Sequence, residues 1–199
     1  MLERAGWDRL SRVSGIELRV PCELDPAWLR RESSALEEQI EPFAIRHDGA
    51  GHLELRPAQK TTKTRRRIRF NATATCALFR HEIGALGAGE RLAIAWNLAV
   101  PGHGRLEIDG QELMVFDGGS AGLVRGGPCR EIMLRRPPGA CSVRFRSSCP
   151  MEMAGFVIET ILRSEGGFES VIQGIALFLA PALGARRIAL ELRLEEPQS

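Results

Sequence analysis

The chain contains no tyrosine, and its other aromatics are eight phenylalanines and three tryptophans. Stacking platforms for sugars or for unpaired bases are built from exposed aromatic rings. A stacking site would therefore rest on Trp7 or Trp28, and single-stranded nucleic-acid binding has little to work with. Lysine is nearly absent as well: only Lys60 and Lys63 occur, and every other basic residue is arginine. The formal net charge is +2, too small for a protein whose whole surface binds nucleic acid. No window reaches the ~18 apolar residues of a membrane span. The opening MLERAGWDRL carries Glu3 and Asp8 and has no apolar stretch of the kind a secretory leader needs. A cytoplasmic location is the expectation.

Five cysteines, an odd number, stand at positions 22, 76, 129, 141 and 149, with no CxxC pair among them. A disulfide framework or a zinc knuckle needs other spacing, so reduced thiols are expected. Arginines near Cys129 and Cys141 in the sequence are of the type that lowers a thiol pKa, against the plainer reading of inert cysteines. Phosphate-loop, dinucleotide, zinc-protease and serine-hydrolase motifs are all missing. The glycine-rich stretch 118–122 lacks the lysine and the strand-to-helix context of a phosphate cradle. No two histidines show HxH spacing. His47, Asp48 and His52 flank one turn and read as solvated rather than as metal ligands, since a catalytic metal takes three protein ligands in defined geometry. Neither a metal nor a cofactor is expected, and no catalytic residue can be nominated.

What the chain does have is strand periodicity. Residues 91–117 read as three strands and two turns. Leu92, Ile94, Trp96, Leu98 and Val100 alternate with Arg91, Ala93, Ala95, Asn97 and Ala99, so one face is bulky and the other small. Such a strand suits the inside of a sheet. Asp109-Gly110 suits a two-residue type I′ turn, which would set Ile108 opposite Gln111 and Leu106 opposite Leu113. Residues 16–20 alternate Ile16, Leu18 and Val20 inward with Glu17 and Arg19 outward. Residues 65–80 form the longest alternating run, with Ile68, Phe70, Cys76 and Leu78 on its apolar face. Residues 187–195 alternate in the same way. Residues 171–180 are apolar almost throughout and fit a buried strand or a short helix equally well. One helix is expected at 26–40, capped by Asp25, opened by Pro26 and stopped before Pro42.

These elements predict a mainly β protein: an antiparallel β-sandwich, jelly-roll-like, with one short helix near residues 26–40. A single domain is expected over 1–199, with 1–14 a poorly defined N-terminal segment. A chain of this length can bury roughly 70% of its unfolded surface without a metal or disulfide staple.

One surface has the makings of a site. Arg65, Arg67 and Arg69 recur at every second residue, followed by Asn71, Thr73 and Thr75, with Lys60 and Lys63 leading in. Arginine forks grip carboxylate, sulfate or phosphate, and Asn and Thr suit sugar hydroxyls. Arg65, Arg67, Arg69, Asn71 and Thr73 are thus the candidate ligand-binding residues, for a glycan or another anionic ligand. The competing reading pairs the arginines with acids of a neighbouring strand, Glu191 and Glu195. A non-catalytic β-sandwich binding module is the first functional expectation. A structural or assembly subunit, mating with a protein partner or with copies of itself, is the alternative, and an enzyme with an unrecognised site comes third.

Overall fold

A computed structural model describes residues 15–32, 35–36, 43–47, 52–57, 65–70, 75–83, 86–99, 104–116, 122–138, 140–183, 185 and 187–196. Twelve strands and one helix follow in order: β1 (Ile16–Pro21), α1 (Pro26–Arg31), β2 (Phe43–His47), β3 (His52–Pro57), β4 (Arg65–Phe70), β5 (Cys76–Glu82), β6 (Glu90–Ala99), β7 (Gly104–Ile108), β8 (Gln111–Phe116), β9 (Leu123–Arg135), β10 (Ser142–Ser164), β11 (Gly167–Pro181) and β12 (Arg187–Glu195). Every pairing among them is antiparallel. The strand order is β1-β6-β11-β10-β12-β5-β4-β3-β2, with β9, β7 and β8 branching from β10.

The branch point makes the sandwich. β10 has 23 residues. Laid out straight it would run on the order of 75 Å, far beyond a compact chain of this length, whose radius of gyration is about 16 Å. It bends instead and changes layers. Residues 142–147 pair with β12 on one side and β9 on the other, whereas residues 151–156 pair with β11 and β9. The register slips between Arg146 and Met151, which marks the corner. One layer holds β1, β6, β11 and the later half of β10. The other holds β2 to β5, β12, the earlier half of β10 and the β7–β8 hairpin. Trp96 of β6 packs edge-on against Phe79 of β5 and Phe145 of β10, with ring centroids 4.9 and 5.0 Å apart. That contact bridges the layers, and each such ring pair stabilises by ~0.5–1.5 kcal/mol beyond its buried area.

β6 is buried on both faces, as its alternation predicts. Ile94 and Trp96 point into the main core, while Ala93 and Ala95 join Phe156, Phe178, Leu29 and Leu36 in a second cluster on the outer side of that layer. Small side chains on β6, β10 and β11 leave room there for α1. Asp25 caps α1 by accepting from the Ala27 N–H at 2.9 Å, and Pro26 opens it. The helix is shorter than the 26–40 expected: it ends at Arg31 with Glu32 as C-cap. Residues 35–36 are helical again, and 37–42 lie outside the described residues. Arg91, read as lying on a weakly polar face, is 3% exposed. Its guanidinium donates to Glu152 Oε2 at 2.8 Å and to the carbonyls of Cys22, Ala180 and Pro181.

At the β7–β8 hairpin, Asp109 and Gly110 have φ values of 45° and 81°, both positive as the turn demands. Ile108 faces Gln111, but a slip between Leu106 and Glu107 sets Leu106 opposite Met114, not Leu113. Residues 171–180 resolve as strand, inside β11. Gly174 is required there, because a Cβ would lie 2.6 Å from the Leu98 carbonyl oxygen of β6. Past Phe156 and before Gly174, β10 and β11 pair only with each other among the described residues, and turn at Glu165-Gly166. Phe168, at the end of this ribbon, is 79% exposed.

A candidate ligand-binding face

The alternating run at 65–80 is two strands. β4 stops at Phe70, and β5 starts at Cys76 and runs back beside it, with Arg65 opposite Glu82, Arg67 opposite Arg80 and Ile68 opposite Phe79. The return inverts the phase. Ala77, Phe79 and His81 are buried, while Arg80 and Glu82 are exposed, so Cys76 and Leu78 do not lead inward as the unbroken run suggested. Asn71 and Thr73, expected to continue the arginine row, lie outside the described residues, and neither belongs to β4 or β5.

Residues opposite one another in register share a face. Arg65, Arg67 and Arg69 therefore take positions beside Glu82, Arg80 and Leu78 of β5, and Arg67 lies opposite Glu54 of β3. The acids expected to neutralise the row are engaged elsewhere. Glu191 lies 3.4 Å from Arg193, and Glu195 lies 2.6 Å from Arg144. Both sit on β12, beyond β5 from β4.

The face leads to a cleft of about 330 Å³, lined among the described residues by Arg80, His81, Glu82, Ser148, Arg187 and the start of β12. Small-molecule sites occupy ~300–1,000 Å³, so one monosaccharide-sized group fits. Three elements build it. β5 brings Arg80 and Glu82; β12 brings Arg187, opposite Glu82; and the β10 corner brings Ser148. Ser148 is fixed by its neighbours: its Oγ accepts from the Ala189 N–H at 3.0 Å, and its carbonyl accepts from Arg130 Nη1 at 3.0 Å. Beneath the arginines, His81 is buried, with Nδ1 hydrogen-bonded to Glu17. Glu17 was expected to point outward. Its side chain is buried instead, against His81 of the other layer. The Nε2 atom of His81 is buried and has no hydrogen-bond partner among the described residues.

The alternation at 187–195 could not bring Arg187 together with Arg80 and Ser148. Their meeting depends on β12 lying between β5 and β10, which no local pattern encodes. The cysteines offer no competing site. None of the five is in a disulfide. Burial pushes the Cys129 thiol up to about 11, with the charge of Asp109 adding a smaller push, so the nearby arginines do not activate it. No group of three metal-ligating side chains occurs among the described residues, and no helix among them is long and apolar enough to cross a membrane.

Fold and face together define a β-sandwich domain with an open, arginine-bearing cleft at the corner where its layers join. The family described as alpha-amylase/4-alpha-glucanotransferase, C-terminal, matches residues 32–193. The chain belongs to that family. Among solved structures, it is similar to the crystal structure of 4-alpha-glucanotransferase from Thermococcus litoralis, with a TM-score of 0.59 at 15% identity. The likeness covers 92% of this chain and 27% of that one, so the chain spans about a quarter of the enzyme's length. At that identity it is a likeness of fold. No curated protein matches the chain.

Proposed function

We infer that the chain is a non-catalytic β-sandwich module that binds glycan, in the service of chemistry on α-glucans. The family match over residues 32–193 carries this reading. The family and the T. litoralis protein are both named for enzymes of α-glucan. The cleft and the arginine row of β4 form the binding face in this reading. Arginine forks and hydroxyl-bearing residues hold the ligand; among the described residues Trp96 is buried and Trp28 is half-buried in the second cluster, and Trp7 lies outside them. The setting is cytoplasmic, where five unpaired cysteines stay reduced.

Affinity electrophoresis tests the reading. Migration of the full chain should be retarded in gels containing amylose. The triple variant Arg65→Ser, Arg67→Ser, Arg69→Ser should run faster in those gels while keeping its melting temperature within a few degrees. Unretarded migration of the parent at every amylose concentration removes the glycan reading.

A second reading is favoured by the β10–β11 ribbon. Phe168, Val171 and Leu123 are exposed, and a large apolar residue at the end of an otherwise unpaired ribbon suits a protein interface. In that reading the chain is an assembly subunit. Sedimentation separates the two: a monomer supports the module, and a closed oligomer that Phe168→Ser disperses supports the subunit.

A further inference from the structure

Several of the described arginines are matched by acids. Arg105, Arg125, Arg135, Arg144, Arg146 and Arg193 each lie within 4.0 Å of a glutamate. Arg80 and Arg187 differ. Neither guanidinium has an ion pair or hydrogen bond among the described residues, yet both are exposed and line one cleft. Arg80 is opposite Ala189, and Arg187 is opposite Glu82, so the two arginines hold diagonal positions on one face of adjacent strands. Such neighbours are ~7–8 Å apart, a span that two forks close around one tetrahedral anion.

We propose that this cleft binds a phosphate monoester carried on a sugar, with Arg80 and Arg187 clamping the phosphate and Ser148 and Glu82 reading the adjoining hydroxyls. A phosphate monoester carries roughly −1.5 to −2 charges at pH 7 and three acceptor oxygens, and arginine meets these bidentately. Ser148 Oγ already accepts from Ala189, which leaves its O–H to donate to the ligand. Glu82 opposes the anion but accepts from sugar hydroxyls, so the cleft suits a sugar phosphate better than a bare anion. Arg65 and Arg67 hold the register positions opposite Glu82 and Arg80 and add positive charge along the same rows.

The inference rests on the reading of the chain as a glycan-binding module and names the class of glycan. Isothermal titration of the full chain uses inorganic phosphate, glucose 6-phosphate, maltoheptaose and a phosphorylated maltooligosaccharide. A phosphorylated sugar should bind more tightly than maltoheptaose by about tenfold or more, the gain of one charge-assisted hydrogen bond. The preference should weaken with added salt and vanish in the double variant Arg80→Gln, Arg187→Gln. The control Arg30→Gln, at an exposed arginine of α1, should leave it intact. Glucose 6-phosphate matching the phosphorylated oligosaccharide supports a free sugar phosphate as ligand; preference for the oligosaccharide supports an ester on a glucan chain. Equal binding of phosphorylated and neutral glucan overturns the inference and leaves the module reading standing. So does inorganic phosphate binding as tightly as any sugar, or a double variant with parental preference. Failure of all four titrants to bind overturns both readings.

Discussion

Glu17 of β1 and His81 of β5 share a buried hydrogen bond, although four strands separate β1 from β5 in the sheet order. The bond joins the two layers of the sandwich at the side where β1 ends its sheet. With the carboxylate as acceptor, Nδ1 of His81 carries the proton. Removing one partner strands the other inside the protein.

His81→Leu should therefore be costly, by ~1–3 kcal/mol or more, the penalty of leaving a buried polar group without its partner. The double change Glu17→Leu, His81→Leu should cost less than His81→Leu alone, because it leaves no carboxylate unpaired. Urea denaturation of the parent, the two single variants and the double variant gives the coupling. If the double variant is as unstable as the sum of the singles, the pair is not a coupled unit.

Arg91 is held by one carboxylate and three backbone carbonyls. A lysine ammonium cannot reproduce that planar fork. Arg91→Lys should lose ~1–3 kcal/mol through hydrogen bonds left unmade, and Arg91→Leu at least as much. Thermal melts at fixed pH decide it, and a lysine variant with parental stability would remove the geometric account of this site.

Gly110 has open space around the position a side chain would take. The cost of Gly110→Val is then purely conformational, from its φ of 81°, and should reach ~1–2 kcal/mol or more for a β-branched residue. Gly110→Asn should be milder, since Asn tolerates the left-handed region. Equal melting temperatures for the Val and Asn variants would contradict a backbone origin.

Cys129 supplies a pH test. Its thiol is raised from an ordinary 9.0 to about 11, by burial first and Asp109 second. Between those values the folded protein keeps a proton that the unfolded chain gives up. The folded state binds more protons there, so its stability falls as pH rises through that window. Relative to the parent, Cys129→Ala should lose stability at pH 8 but show a flatter decline between pH 9 and 11. Alkylation at pH 8 should label the exposed Cys22 and Cys141 and spare Cys129. Rapid labelling of Cys129 in the folded protein would contradict its burial.

Legibility in the sequence tracked how local each cause is. The type I′ turn at Asp109-Gly110, the Asp25 cap and the two-sided β6 are written in adjacent residues, and all three formed. The end of β4 was not legible: residues 71–75, Asn-Ala-Thr-Ala-Thr, contain neither glycine nor proline, so the alternation ran on through a reversal and carried the wrong phase into β5. Glu17 illustrates the other limit. Alternation gives each side chain a face, but only the second layer decides that Glu17, on the same face as the exposed Arg19, is buried against His81. The arginines of β4 were visible, whereas the cleft beside them needed β12 and the β10 corner to arrive from distant sequence. Family membership was illegible for a related reason: a β domain without catalytic motifs is defined by its pattern of apolar positions, which many unrelated sandwiches share.

β10 has a consequence for signalling between surfaces. One continuous strand carries Ser148 near its start and the solvent-facing ribbon at its far end, with Phe168 across the turn. A partner gripping the ribbon would hold the same strand that, beyond its bend, floors the cleft corner. Cleft and partner would then keep a fixed mutual heading, so that a chain leaving the cleft is presented to its neighbour along one direction, as by a jig.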